Sequence, residues 1–232
     1  MISHTNKFVY VHIPKVAGSS INDTLKDEYF ERDNLTHPSL DPDNISFDPA
    51  PPHMRMSDYH KYGLLNQEQY NTYFKFTFVR NPWDRIVSEY RYRQYPRIFS
   101  FKEFIMHHLP VPSWSDEYCH IIPQYDFIYN MDGVIEVDFV GKFERIQSDF
   151  NIICDKLELP TKPLFHKNKS SKTFNLNTNI IENLRFIKSL INKNRRRNTF
   201  SHYTEYYDNE SIDLIAHLYK NDINSFGYQF GE

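Results

Sequence analysis

The chain has 232 residues, enough for one domain with a substantial core, and its 27 Lys and Arg against 30 Asp and Glu leave a formal net charge of −3. That balance argues against general nucleic-acid binding, and an aromatic content of 16% argues against disorder. The two cysteines, Cys119 and Cys154, stand far apart with no metal-ligand spacing around them, which suits small core or surface residues in a reducing compartment.

Met1 to Lys7 reads as a short polar lead with neither a signal-peptide core nor a run able to span a bilayer, so a cytoplasmic location is expected. Phe8 to Ile13 is continuously apolar apart from His12, the pattern of a strand buried on both faces of a parallel sheet. It runs into Pro14-Lys15-Val16-Ala17-Gly18-Ser19-Ser20 and then an apparent helix. Ala17, Gly18, Ser19 and Ser20 have little side-chain bulk, so backbone N–H groups there can approach a phosphate, helped by the positive end of the helix. Lys15 adds a mobile charge and the serines add hydroxyl donors. A Walker loop is excluded, because the lysine precedes the glycine and none stands directly before Ser19 or Ser20. An ordinary capped strand-to-helix turn uses the same residue types.

Asn34 to Arg55 is rich in Pro, Asp, Asn and Ser and reads as a long irregular excursion. Phe74 to Val79 is a second apolar strand, ending at Arg80. Asn81 is then a helix N-cap, and Pro82 suits the first helical position. On that helix Trp83, Ile86, Val87 and Tyr90 make a buried stripe, while Asn81, Arg85 and Ser88 share another face. Arg80 at the strand end and Ser88 two turns along can point toward one anion. Arg85 can join them or pair with Asp84, Glu89 or solvent.

Further along, Ser100 to Leu109 reads as helix and Pro110 to Pro123 as loop. Phe127 to Tyr129 and Val134 to Val137 flank Met131-Asp132-Gly133 as a hairpin. Phe139 to Phe143 reads as a strand and Ile146 to Leu157 as a helix. Pro163 to Thr178 reads as a lysine-dotted covering loop, and Ile180 to Ile191 and Ser211 to Lys220 as closing helices. Lys193 with Arg195, Arg196 and Arg197 forms the one basic cluster, either a solvated helix end or a contact for an anionic acceptor. Strands alternating with helices predict a single α/β domain over residues 1–232, with a central, mostly parallel sheet flanked by helices.

Lys15 to Ser20 resembles the 5'-phosphosulfate loop of PAPS-dependent sulfotransferases (PAPS is 3'-phosphoadenosine 5'-phosphosulfate), in the His-Ile-Pro-Lys-x-x-Gly-Thr/Ser-Ser form of the carbohydrate, or family 2, branch. Arg80 to Ser88 resembles that branch's 3'-phosphate motif, Phe-Val-Arg-Asn-Pro-x-x-Arg-x-x-Ser. The resemblance continues in order through Asp138 to Glu144, His166 to Ser170, Tyr206-Tyr207-Asp208 and Asp222 to Tyr228. Where members often carry Thr-Gly-Gly-Thr-Ser, this chain has Val16-Ala17-Gly18-Ser19-Ser20, which keeps the small residues and hydroxyls.

The resemblance implies a P-loop-like three-layer fold and sulfuryl transfer from PAPS to a carbohydrate hydroxyl by in-line displacement. Lys15 is the expected cation beside the leaving phosphate. Ser19 and Ser20, with the loop N–H groups around Ala17 and Gly18, are expected to hold the 5'-phosphate, and Arg80 and Ser88 the 3'-phosphate. Lys169, with His166, Asn168 and Ser170, is placed to cover the nucleotide. The scheme requires no metal. Among eleven histidines, His53 sits where members place one upstream of the second motif and is the expected general base, although its prolines also suit a plain surface loop. His60 is the next choice, and His12 reads as a core histidine. Glu144 can orient Lys15, meet the acceptor, or serve as a helix-start carboxylate. A kinase-like phosphotransferase and a non-catalytic nucleotide-binding protein both remain open at this point, as does the acceptor.

Overall fold

Strand β2 (Phe8–Val11) buries all four of its side chains, which requires cover on both faces of the sheet. Strand β4 (Phe74–Val79) is buried from Lys75 onward and lies parallel to β2, with Phe8 opposite Phe74 and Val11 opposite Thr77. Strand β5 (Phe139–Lys142) pairs parallel on the other side of β4, Phe76 opposite Phe139 and Val79 opposite Lys142. The computed structural model describes residues 1–28, 35–36, 53–114, 118–164 and 200–232. The covering loop beyond Leu164, the Ile180–Ile191 segment, the basic cluster and most of the Asn34–Arg55 excursion lie outside the described residues.

The sheet is mixed rather than mostly parallel. Strand β1 (Ile2–Ser3) pairs antiparallel with β2, and β3 (Leu35–Thr36) pairs antiparallel with β1, giving the order β3-β1-β2-β4-β5. The physical reason is connection length. Only the segment Ser3 to Phe8 joins β1 to β2, with Lys7 turned at φ +50°, and so short a link permits only an antiparallel neighbour. The supposed polar lead is therefore structural, and Met1, Ile2 and Ser3 are all buried.

Helix α1 (Gly18–Glu28) follows β2 directly. Helices α2 (Met56–Lys61) and α3 (Gln67–Thr72) fill a stretch whose sequence had suggested no element. Their signals were a capping box of Asn66 with Gln69, and the Asp58 carboxylate that holds the Arg55 N–H at 3.1 Å. Helix α4 (Pro82–Tyr92) starts where expected, with the Asn81 side chain accepting the Trp83 N–H at 3.1 Å. Its buried stripe is the predicted one with Arg85 and Glu89 added. Helix α5 begins at Phe101–Glu103 under a Ser100 cap and continues as a π turn over Phe104–His108.

The expected hairpin is reduced to its turn. Gly133 sits at φ +73° and a single antiparallel bridge joins Tyr129 to Ile135. Phe127 lies instead in α6 (Tyr125–Ile128), because the buried Asp222 carboxylate accepts the N–H groups of Gln124 and Tyr125 at 2.9 and 2.8 Å and starts a helix there. Helix α7 (Ile146–Lys156) follows β5, and α8 (Asn209–Leu218) and α9 (Lys220–Phe226) close the chain. Because β2, β4 and β5 run parallel, their carboxyl ends share one edge, where Pro14-Lys15, Arg80 and Phe143-Glu144 emerge together. That is where α/β sheets form ligand crevices.

Candidate active site

The loop after β2 bends through two non-glycine residues in the left-handed region, Lys15 at φ +70° and Ala17 at φ +64°. Each such residue costs on the order of 1–2 kcal/mol, and strain of this kind concentrates at ligand-binding turns. The loop closes into α1 when the Ser20 N–H donates to the Ala17 carbonyl at 2.9 Å. Ser19 is exposed and Ser20 half-buried at the amino end of that helix. Gly18 has a role beyond backbone approach: a β-carbon there would run into the His12 imidazole, so the glycine is what lets His12 lie across the loop.

Lys15 Nζ sits 3.6 Å from the centroid of the Tyr92 ring on α4. Burial pulls its pKa down to about 8. The Glu89 carboxylate works against that shift, and the nearby Arg80, Arg93 and Arg85 add to it. At neutral pH Lys15 is thus a cation held where it is only weakly favoured, and a bound anion would relieve that.

The two predicted turns touch. Arg80 Nη1 donates to the Lys15 carbonyl at 3.2 Å, while its Nε and Nη2 grip Asp84 at 2.8 and 2.7 Å and its guanidinium lies 4.1 Å from the centroid of the Phe143 ring. The Arg80 backbone is clamped by Gln124, whose amide accepts from the Arg80 N–H and donates to its carbonyl, both at 2.8 Å. Ser88 is half-buried on the α4 face that also carries Arg85, Glu89 and Tyr92, the face turned toward the first loop.

Arg85 takes neither of its expected roles. It is fully buried, with Nε donating to the Pro14 carbonyl at 3.0 Å and Nη1 to the Ile122 carbonyl at 2.8 Å. It ties the first loop to the segment after Pro110, and its Nη2 is buried with no hydrogen bond among the described residues. Asp84 pairs with Arg80, not Arg85. Glu144 accepts the Asn81 N–H at 2.7 Å and the Tyr228 hydroxyl at 3.1 Å, so it behaves as the helix-start carboxylate, here for α4.

His53 is buried, and its Nδ1 lies 3.0 Å from the His12 carbonyl oxygen, which fixes Nδ1 as the donor and leaves the lone pair on Nε2. His12 packs between Tyr10 and His53, with ring centroids 5.8 and 4.6 Å away. His60 is exposed at the end of α2, its Nδ1 bonded to the Leu65 carbonyl at 3.1 Å, and it holds the α2–α3 connection. Lys169, with His166, Asn168 and Ser170, lies outside the described residues.

Three neighbours, His120, Glu89 and Tyr92, were not read from the sequence as part of the site. His120 Nδ1 meets Glu89 Oε2 at 2.8 Å, its ring stands edge-on to His53 at 5.5 Å, and Tyr92 is 5.6 Å away. Burial pushes Glu89 up, but bonds from His120 and Arg93 together with the Lys15 charge outweigh it, and the carboxyl ends below its ordinary value. Glu89 and Tyr92 were accessible to sequence, since they continue the Arg85 face at i+4 and i+7. His120 was not, for it sits on an irregular segment with no periodic signal. Cys119 beside it is buried, and ligand atoms of His53, Cys119 and His120 lie within 4.8 Å of one another.

No helix among the described residues is long and apolar enough to cross a membrane. No solved structure matches the chain. An uncharacterized protein from Archaeoglobus fulgidus is 31% identical over 99 residues, covering 41% of this chain and 77% of that one. The sequence pattern of the "Sulfotransferase family" matches residues 1–229, nearly the whole chain, and the chain belongs to the sulfotransferase family.

Proposed function

We propose that the chain moves a sulfuryl group from PAPS to a hydroxyl of a carbohydrate acceptor, on a P-loop-like three-layer scaffold. The observation that carries this reading is the contact of Arg80 with the Lys15 carbonyl, which brings the turns suited to the two phosphate ends of one nucleotide to a common crevice. Ala17, Gly18, Ser19 and Ser20 hold the 5'-phosphate, with Lys15 against the oxygen that bridges phosphorus and sulfur. Arg80 and Ser88 take the 3'-phosphate, for which Arg80 shares or exchanges its bond to Asp84. Lys169 supplies a further positive charge for the nucleotide.

In the transfer, the acceptor oxygen forms its bond to sulfur as the bridging oxygen–sulfur bond breaks. The acceptor proton passes to His53 Nε2, and the charge developing on the departing phosphate falls beside Lys15. The His12 carbonyl supports the role of His53, because it keeps the ring in the tautomer with a basic Nε2. A lysine with a pKa near 8 gains protonation as negative charge grows next to it, which favours the transition state over the free enzyme.

The test is acceptor-dependent release of PAP, the 3',5'-bisphosphate product, from PAPS in the presence of a panel of oligosaccharides and in EDTA. Acceptor-dependent PAP and a sulfated sugar, insensitive to EDTA and lost in Lys15→Ala, are expected. Transfer of phosphate from ATP that requires Mg²⁺ would replace this reading with a kinase. Tight PAP binding with no turnover on any acceptor would leave a binding protein.

A further inference from the structure

The described residues hold one other cluster of ligating chemistry, and it draws on segments far apart in the chain: His53 after the long excursion, and Cys119 and His120 on the turn after Pro110. We propose that His53, Cys119 and His120 form a site for a borderline-to-soft transition ion of the zinc class, bound by one ring nitrogen of each histidine and the cysteine sulfur.

Proximity alone would not carry this; the groups behind the ligands do. His53 directs Nδ1 at the His12 carbonyl and His120 directs Nδ1 at the Glu89 carboxylate, at 3.0 and 2.8 Å. Both rings therefore keep the lone pair on Nε2, each backed by the kind of acceptor that metal-ligating histidines use to fix tautomer and orientation. Cys119 would give up its thiol proton to the solvent on binding the ion, and the Glu89 carboxylate behind His120 adds negative charge at the site. Two nitrogens and one sulfur, with no carboxylate oxygen among them, suit zinc or cobalt and not magnesium or calcium.

Tetrahedral zinc separates nitrogen and sulfur ligands by roughly 3.5 Å, so atoms up to 4.8 Å apart must draw in by about 1 Å as the ion enters. Three protein ligands leave a fourth position for water or an exogenous group. His120 also lies tilted against Tyr92, the ring under Lys15, which puts the cluster beside the crevice of the proposed sulfotransferase site. Binding here is a property of the cluster; an ion on His53 Nε2 occupies the lone pair that takes the acceptor proton in the proposed transfer, so the metal-loaded chain is a form that does not transfer, and the transfer assay in EDTA reads the metal-free form.

Cobalt(II) titration of the full, reduced chain tests it. One cobalt per chain should bind, with a thiolate-to-cobalt charge-transfer band in the near ultraviolet and the strong visible bands of a tetrahedral ion, and Zn²⁺ should bleach both. Cys119→Ser should abolish the charge-transfer band, Cys154→Ser should leave it intact, and His120→Ala should lose the tetrahedral spectrum. Glu89→Gln should weaken binding by about 10–100-fold through His120. Near-ultraviolet circular dichroism on every variant separates lost ligation from lost folding. No charge-transfer band on folded wild-type chain, or a band that survives in folded Cys119→Ser, would overturn the proposal.

Discussion

Lys15 offers a perturbation whose size can be worked out in advance. Burial places its ammonium at about 8 in the folded chain against 10.5 when exposed, so the charged form is disfavoured by about 3 kcal/mol. Above pH 10.5 neither state holds the proton, and below about 8 both do. Between these limits the unfolded chain binds more protons than the folded one, so stability rises with pH across the window and is lost again as pH falls through about 8. Other groups titrate there too, which makes the difference between wild type and Lys15→Met the proper readout. Urea unfolding across the window should show Lys15→Met stabilised relative to wild type by up to about 3 kcal/mol near pH 8, shrinking toward zero near 10.5. The same titration should appear in catalysis as a decline of kcat/KM above pH 8 that Lys15→Arg removes, and as a weaker decline in kcat because the bound nucleotide holds the proton on. A difference curve that stays flat with pH would refute the claim that Lys15 is a buried cation in an unfavourable setting.

Other substitutions separate binding from scaffolding. Gly18→Ala should drive His12 from its place and cost about 1–3 kcal/mol of stability, visible as a lowered urea midpoint together with weaker PAP binding. Arg85→Ala removes the ties to Pro14 and Ile122 and should lower stability by about 3 kcal/mol in the same assay, whereas an unchanged midpoint would show that those bonds hold nothing. Asp84→Asn frees the Arg80 fork from its carboxylate, so PAP affinity measured by calorimetry should hold or rise, and a fall would mean that Asp84 positions Arg80 for the phosphate.

How much of this was legible in the sequence depends on whether the signal was local. The β4-to-α4 turn could be read residue by residue, because Asn81 and Pro82 act through their own backbone and the apolar stripe repeats at helical spacing. The first strand and its loop were legible for the same reason. The partners of Arg85, Glu144 and Asp222 were not, since each carboxylate or guanidinium finds backbone groups scores of positions away. Asp222 even reverses a local reading: by accepting the N–H groups of Gln124 and Tyr125 it starts a helix that takes in Phe127, which the sequence placed in a hairpin strand. The antiparallel edge was missed because β1 is two residues long, too short to show a period. Cysteine spacing missed the group of His53, Cys119 and His120 because one of its two histidines, His53, arrives from a distant segment.

Recognition of a nucleotide by two phosphate sites in one crevice is read out by calorimetric titration with PAP, AMP and ATP on wild type and Arg80→Ala. PAP should bind tightly, and its binding should weaken by about 10–100-fold when either the 3'-phosphate or the Arg80 guanidinium is removed, the worth of a charge-assisted bond to phosphate. Binding of ATP with Mg²⁺ as tight as or tighter than PAP, unaffected by Arg80→Ala, would contradict it.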